Sequence, residues 1–408
     1  MSAKSVFGLH SAAGRDRASR AVRNIDVSMH RCESAGELYI TARPEPGTAG
    51  GRNAKRAMGD LFDSIADTLR QHNAFVLQER VFAHESVMAS LRAARASAFG
   101  DLADGVEPTW LAVPLGAYGS VAGVQVHAVA GCTRPDVLSV DGEPSGRLAT
   151  FPAQTGPQRY LTGCNLQANR AQQTLPADQA KAMFAKAEAV LAQAGGSLAD
   201  VARTWLWLGD ILGWYGEFNV VRNELFQARG LLTNDGGGIL PASTGIGIGP
   251  ATLGHQRRHC VMDFFAALDT PKTRCLLAGG NQGAASKYGS AFSRAVITKT
   301  PGGKTVYVSG TAAIDVAGQT THLGDAAGQI ADTLQNVRAV LKDAGCDQDD
   351  VVQAMAYCKT PQVEQAFLNT IKAEGGSRPW ITTQNIVAIA DVCRDNLLFE
   401  IEATAIIR

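Results

Sequence analysis

The sequence predicts an α+β protein in which a single chain repeats a sheet-and-two-helix unit three times. Three observations carry this expectation. At 408 residues, 45% apolar and 19% charged, the chain is long enough for several units and apolar enough to fill their cores. One order of elements recurs along it: a strand pair, a long amphipathic helix, a strand, a second helix and two closing strands. Each long helix also closes on a leucine at the equivalent place, Leu69, Leu191 and Leu341.

The first unit, residues 21–132, shows the pattern most weakly. A helix is expected over Lys55–Gln71, a strand over Ala74–Phe82, a second helix over Glu85–Ser97, and closing strands at Trp110–Val113 and Val121–Ala130. The second unit, residues 150–270, has a helix over Ala177–Ala194 that ends in Gly195-Gly196. A strand at Ala199–Leu208, a helix at Glu217–Arg229 and strands at Ile239–Ile248 and Cys260–Leu268 follow. The third unit, residues 284–408, is the most regular. In its long helix Ile330, Leu334, Val337 and Leu341 step by 4, 3 and 4, which is one helical face, and Gly345 stops it. A strand runs from Asp350 to Tyr357, a helix opens at Pro361 and runs to Lys372, and Ile381–Ala390 and Leu397–Ile406 close the unit. Residues 1–20 read as a flexible polar N-terminus, and 132–157 and 269–284 as linkers. Each sheet has a second apolar face to cover. Three units can cover these faces against one another about a pseudo-threefold axis, with sheets inward and helices outside, so that one chain imitates a trimer.

Composition excludes several functions. Lys+Arg and Asp+Glu are both 38, so there is no net positive charge for a nucleic-acid-binding face. The eight cysteines form no Cys-x-x-Cys pair for a zinc ribbon or redox motif. The N-terminal stretch lacks an apolar signal core, although its Arg, its Ser and its few acids imitate a transit peptide. No run of about 18 apolar residues could span a bilayer. A cytoplasmic protein with reduced thiols is the expectation. His255 and His259 have metal-ligand spacing without the following pattern of a helical zinc site. Gly236-Gly237-Gly238 and the GIGIG run at 245–249 do not join a strand to a helix as a phosphate loop must, and read as turn and strand glycines. Asp325, in the HLGD loop after His322, reads as a helix N-cap.

Particular stretches carry a family resemblance. YVSGTAAID (307–315), HLGDAAGQIADTLQNVRAVLKDAG (322–345) and FEIEATAI (399–406) resemble the Rid family, the YjgF-like enamine/imine deaminases. That likeness implies a fold like Bacillus chorismate mutase. Further stretches resemble the chorismatases, Rid-like enzymes that release pyruvate from chorismate. These are DVCRDNLLFEIEA (391–403), SGTAAI with HLGD (309–314, 322–325), YGSAFSRA (288–295), ARTWLWL (202–208), FNVVRNELF (218–226) and LPASTGIGIG (240–249). They span residues 200–408, while the first 150 residues match only through the repeat. Two departures stand out. The linker GGNQGAASKYG (279–289) is shorter in Tyr and Arg than the chorismatase pattern. Gln384 and Asn385 also stand where a Rid deaminase carries its substrate-gripping Arg, which weighs against that activity.

Chorismatase chemistry, as the resemblance implies it, needs an acid that protonates the terminal methylene carbon of an enolpyruvyl ether. The resulting oxocarbenium ion is trapped by water or by the substrate's own hydroxyl. A carboxyl kept neutral by desolvation suits this task. Glu400 is the candidate. Strand alternation puts it on one face with Glu402, and Phe399 and Ile401 on the other. The repeat places Gln125 and Val261 at its equivalent positions, so one acid-bearing interface per chain is expected. Cys393 would shape the pocket and exclude water, as in the 3-hydroxybenzoate-forming type. Arg294 and Arg222, with Tyr288 and Tyr215, are candidates to grip the two substrate carboxylates. Gln384 and, more weakly, Arg159–Tyr160 are further candidates. The resemblance implies a small-molecule substrate and no cofactor, and the charge, hydropathy and motifs above lead to the expectation of no metal and no nucleic-acid or membrane partner. A monomer is expected, with a dimer open. The product can be 3-hydroxybenzoate, 4-hydroxybenzoate or the dihydrodiol acid, and a related enolpyruvyl ether can replace chorismate. Two other readings remain: a Rid-type imine deaminase, or a small-ligand binding module without turnover.

Overall fold

The computed structural model describes residues 27–34, 36–44, 54–154, 156–169, 175–250, 258–270, 274–373 and 379–407. The polar N-terminus 1–20 and His255 lie outside the described residues. The first unit contains β1 (Val27–Ser34), β2 (Glu37–Pro44), α1 (Ala54–Gln71), β3 (Phe75–Ala83), α2 (Met88–Phe99), β4 (Thr109–Ala112) and β5 (Val121–Val129). The second contains β6 (Asp136–Val140), β7 (Glu143–Phe151), β8 (Gln158–Leu166), α3 (Pro176–Gln193), β9 (Val201–Leu208), α4 (Ile211–Ala228), β10 (Ala242–Ile246), β11 (Gly249–Pro250) and β12 (Cys260–Ala267). The third contains β13 (Arg274–Leu276), β14 (Ala295–Thr300), β15 (Gly303–Ala312), α5 (Ala326–Ala344), β16 (Val351–Cys358), α6 (Pro361–Ala373), the short α7 (Pro379–Thr382), β17 (Asn385–Ile389) and β18 (Phe399–Ile407).

Among the described residues three six-stranded sheets form, and the same order runs through all of them. β1-β2-β5-β3-β4, β7-β8-β12-β9-β10 and β14-β15-β18-β16-β17 are equivalent, each with one added edge strand. In each unit the second helix carries the chain across to a parallel partner strand, as in β9 to β10 and β16 to β17. The long helices form because their apolar positions line one face. Ile330, Leu334, Val337 and Leu341 of α5 are all buried. Asp325 caps that helix by accepting from the Gly328 amide at 3.0 Å, and Gly345 ends it at φ 87°.

Each helix layer covers the outer face of its own sheet, which makes three peripheral cores. A fourth core lies between the sheets. Leu77 and Phe82 of the first unit, Trp205, Trp207 and Phe265 of the second, and Tyr307, Met355 and Tyr357 of the third meet there. The sheets face inward and the helices lie outside, as three fused units require. Aromatic rings in this central core pack across the unit boundaries. The Phe265 and Tyr307 ring centroids, from different units, are 5.5 Å apart.

Several local expectations are corrected. The segment read as a linker at 132–157 supplies the hairpin β6–β7, which extends the second sheet. The stretch at 269–284 contains β13 at the edge of the third. Helix α4 starts six residues earlier than its charged part suggests, because Ile211, Trp214 and Phe218 bury one face in spite of the interspersed glycines. The repeat register also shifts by two in the first unit. Glu400 pairs with Tyr357, Val261 with Trp207, and Gly123 with Phe82. Gly123, not Gln125, is therefore the counterpart of Glu400, and Gln125 matches Glu402. A β-carbon on Gly123 would lie 2.7 Å from Ile386 Cδ1, so that pseudo-equivalent cleft is filled by a side chain of the third unit.

Candidate active site

The interface between the second and third units encloses a cavity of about 240 Å³. One wall is α4, which presents Tyr215, Asn219 and Arg222 at helical spacing, together with Ser243 and Gly245 of β10. The opposite wall belongs to the third unit. Tyr288, Ser290, Phe292 and Arg294 come from the segment before β14, Gly310 and Ala312 from β15, Cys393, Arg394 and Leu397 from the loop before β18, and Glu400 from β18 itself. Six of the seven candidate residues, Glu400, Cys393, Arg294, Tyr288, Arg222 and Tyr215, are thus brought to one cavity by two units.

Glu400 is buried, at 4% exposure, and among the described residues no hydrogen bond or ion pair reaches its carboxyl. Burial, reinforced by the nearby Glu402 charge, pushes its pKa up to about 8, against the pull of Arg203, Arg294 and Arg394. The acid is therefore largely protonated at neutral pH. The backbone makes room for it: a β-carbon on Gly310 would collide with a Glu400 carboxyl oxygen.

The surrounding charge has the opposite sign. Arg222 and Arg294 are 2% and 1% exposed, yet neither they nor Arg394 form an ion pair with any described residue. Arg294 donates to the Gly283 carbonyl at 2.8 Å through one nitrogen of the guanidinium and at 3.0 Å through Nε. Arg222 donates to Asn219 Oδ1 at 2.5 Å, and its Nε has no partner among the described residues. Arg394 donates to the Gly318 carbonyl at 2.5 Å and lies over the Tyr288 ring, 4.8 Å from its centroid. Three guanidiniums converging on a cavity without carboxylate partners are arranged for an anionic ligand. Burial pushes the Cys393 thiol up to about 12 and the Tyr215 hydroxyl up to about 12, so both are neutral groups at the wall. Cys393 is thereby a thiol that fills space, not a thiolate nucleophile.

Gln384 is not on the cavity wall. Its carbonyl accepts from the Ala354 amide at 2.8 Å and from Thr41 Oγ1 at 3.4 Å, at the contact between the third and first units. The reason is register: β17 pairs with β16 from Asn385 opposite Ala354, so β16 stands between this residue and β18. Arg159 pairs with Asp269 at 2.8 Å and Tyr160 packs in the central core, so neither reaches the cavity. His259 turns its ring edge-on to Trp214. Sequence reasoning missed Arg394, Asn219, Ser243 and Ser290. Asn219 had a signal, since it stands at i+4 from Tyr215 and i−3 from Arg222 on one helix.

Comparison with known proteins fits this construction. Residues 284–407 match the Endoribonuclease L-PSP family model. A crystal structure of a chorismatase superposes with a TM-score of 0.56 and 19% identity, covering 81% of this chain and 93% of that one. The chain has the chorismatase fold. Single-unit structures are similar over one third of it. The YjgF gene product of E. coli is 22% identical, with a TM-score of 0.27, over 33% of this chain and 100% of that one. A YjgF/YER057c/UK114-family member from Mycobacterium tuberculosis is 22% identical, with a TM-score of 0.25, over the same shares. Among the described residues, no helix is long and apolar enough to cross a membrane.

Proposed function

We propose that this chain is a chorismatase, cleaving the enolpyruvyl ether of chorismate to pyruvate and a hydroxybenzoate, with 3-hydroxybenzoate the favoured product. The single observation that carries the reading is one buried carboxyl and three guanidiniums lining one cavity, none of them ion-paired among the described residues. The cations match the two carboxylates of the substrate. Glu400 then delivers its proton to the terminal methylene carbon, and the ether oxygen helps carry the resulting cation. Water adding to that centre loses a proton and gives a hemiketal, whose bond from the pyruvyl carbon to the ring oxygen breaks to leave pyruvate and the dihydrodiol acid. For a hydroxybenzoate, the substrate's own hydroxyl instead attacks the ring carbon that bears the ether. The ring C–O bond breaks with its electron pair going to pyruvate, the hydroxyl proton returns to Glu400, and the resulting epoxide opens with loss of a ring proton to restore aromaticity. The site belongs to one chain, and the counterparts of the acid are Gly123 and Val261, so one turnover site per polypeptide follows. A Rid-type deaminase would want its carboxylate grip on the last strands, where Gln384 faces away from the cavity.

The test is incubation with chorismate, following pyruvate by coupled reduction to lactate and identifying the ring product by chromatography. Pyruvate formation above the uncatalysed background is expected. Its absence, with ammonia released from an imine substrate instead, would transfer the site to the deaminase reading, and ligand-induced stabilisation without either product would leave a binding module.

Cys393 gives a separate prediction. Cys393→Ala opens space beside the acid that water can enter, so the hydrolytic dihydrodiol acid should rise relative to 3-hydroxybenzoate while total pyruvate formation changes by less than about tenfold. An unchanged product ratio would remove Cys393 from product control.

A further inference from the structure

Glu400 and Glu402 stand two residues apart on one face of β18, about 7 Å apart along the strand, and their surroundings differ completely. Among the described residues the donors go to Glu402. Arg203 reaches one of its oxygens at 2.7 Å, and Trp205 Nε1 and Arg80 reach the other at 2.8 and 3.4 Å. Arg203 also donates to the Thr244 hydroxyl, on the strand residue between the cavity-lining Ser243 and Gly245. Arg80 donates to Gln353 at 3.2 Å and stacks over the Trp205 ring at 4.5 Å. The cluster is buried, with the Arg80, Arg203 and Glu402 side chains at 5% exposure or less. It takes Arg80 from the first unit, Arg203 and Trp205 from the second and Glu402 from the third. Among the described residues the first unit adds none to the cavity wall, and Arg80 is its contribution to this cluster.

We propose that Glu402 is a positioning residue for the acid: a clamped, ion-paired carboxylate that holds the neighbouring Glu400 un-ionised, with Arg203 as the counterweight that limits the effect. Two carboxyls this close divide their protonation according to which one owns the cations. The other groups facing Glu400 are Tyr215 and Arg222 from α4, Tyr288 and Arg294 from the segment before β14, Cys393 and Arg394 from the preceding loop, and Tyr357 from β16. Arg294 and Arg394 among them, together with Arg203, favour the ionised acid, so burial and Glu402 together must outweigh them. The fusion of three units then sets an acid's protonation state as well as building a scaffold.

This inference rests on Glu400 being the acid but needs no substrate to test. The Glu400 carboxyl can be titrated by carbon NMR of the whole protein labelled at glutamate Cδ, its signal identified by its loss in Glu400→Gln. Glu402→Gln should lower the midpoint by about one to two pH units, and Arg203→Gln should raise it. The alkaline limb of kcat/KM for pyruvate formation should move by the same amounts. Opposite displacements are a result that a merely structural role would not produce. A midpoint unmoved in Glu402→Gln, or both substitutions moving it the same way, would overturn the proposal. If Glu402→Gln does not fold, Arg203→Gln decides alone, a rise supporting and a fall or no change refuting. Titration as expected in a protein that never releases pyruvate would leave the tuning intact and reject the chorismatase reading instead.

Discussion

Glu400→Gln is expected to lower chorismate turnover by about 10²–10⁴-fold, the usual worth of a positioned general acid, with little change in substrate binding. The glutamine keeps the shape and loses the transferable proton. In the unsubstituted protein kcat/KM should hold on the acidic side and fall as pH rises through about 8, because only the protonated carboxyl donates. The same substitution should raise stability. A carboxyl whose folded pKa is raised from 4.5 to about 8 favours folding fully below 4.5 and loses that contribution as pH rises through 8. Glu400→Gln should therefore melt like the parent near pH 4 and higher than the parent above pH 8, by up to a few kcal/mol at about 1.4 kcal/mol per pKa unit. Thermal unfolding at several pH values checks the sign. A variant less stable at high pH than the parent would mean that the carboxyl is hydrated there, and that the acid is wrongly assigned.

Gly310→Ala should be nearly as damaging to activity for a purely spatial reason. The added methyl group would occupy the place of a Glu400 carboxyl oxygen and lie 3.1 Å from Thr244 Cγ2. The flexible acid yields more readily than the strand, so the carboxyl is displaced from its line to the substrate. Turnover should fall by about 10²-fold, a misplacement effect, for about 1–3 kcal/mol of overpacking strain. Steady-state kinetics beside a denaturant melt measure both. Full activity in Gly310→Ala would show that the carboxyl works from another position.

Much of the fold was legible because it repeats. The 4-3-4 spacing of α5, the glycine after it and the alternation of β18 are local signals, and the structure keeps them within a residue or two. Where local and tertiary signals diverged, packing won. Gly213 and Gly216 hid the first turns of α4, yet Trp214 and Phe218 on its buried face extend the helix to Ile211 and thereby place Tyr215 in the cavity. The two-residue slip at Gln125 lies beside an irregularity of the first unit alone, between Phe82 and Ala83, where Ala122 drops out of the β3–β5 pairing, which composition does not announce.

By itself the sequence determined the triple repeat, the single acid-bearing strand and the arginines and tyrosines worth watching, because periodicity and residue chemistry are properties of neighbours along the chain. Only the tertiary structure decided that Arg394 joins Arg222 and Arg294, that Gln384 turns to the first unit, and that among the described residues Glu402 takes the ion pairs while Glu400 takes none. Those outcomes depend on which side chains from distant segments share a low-dielectric space. Burial and charge pairing, which set protonation, exist only once the three sheets have closed on one another.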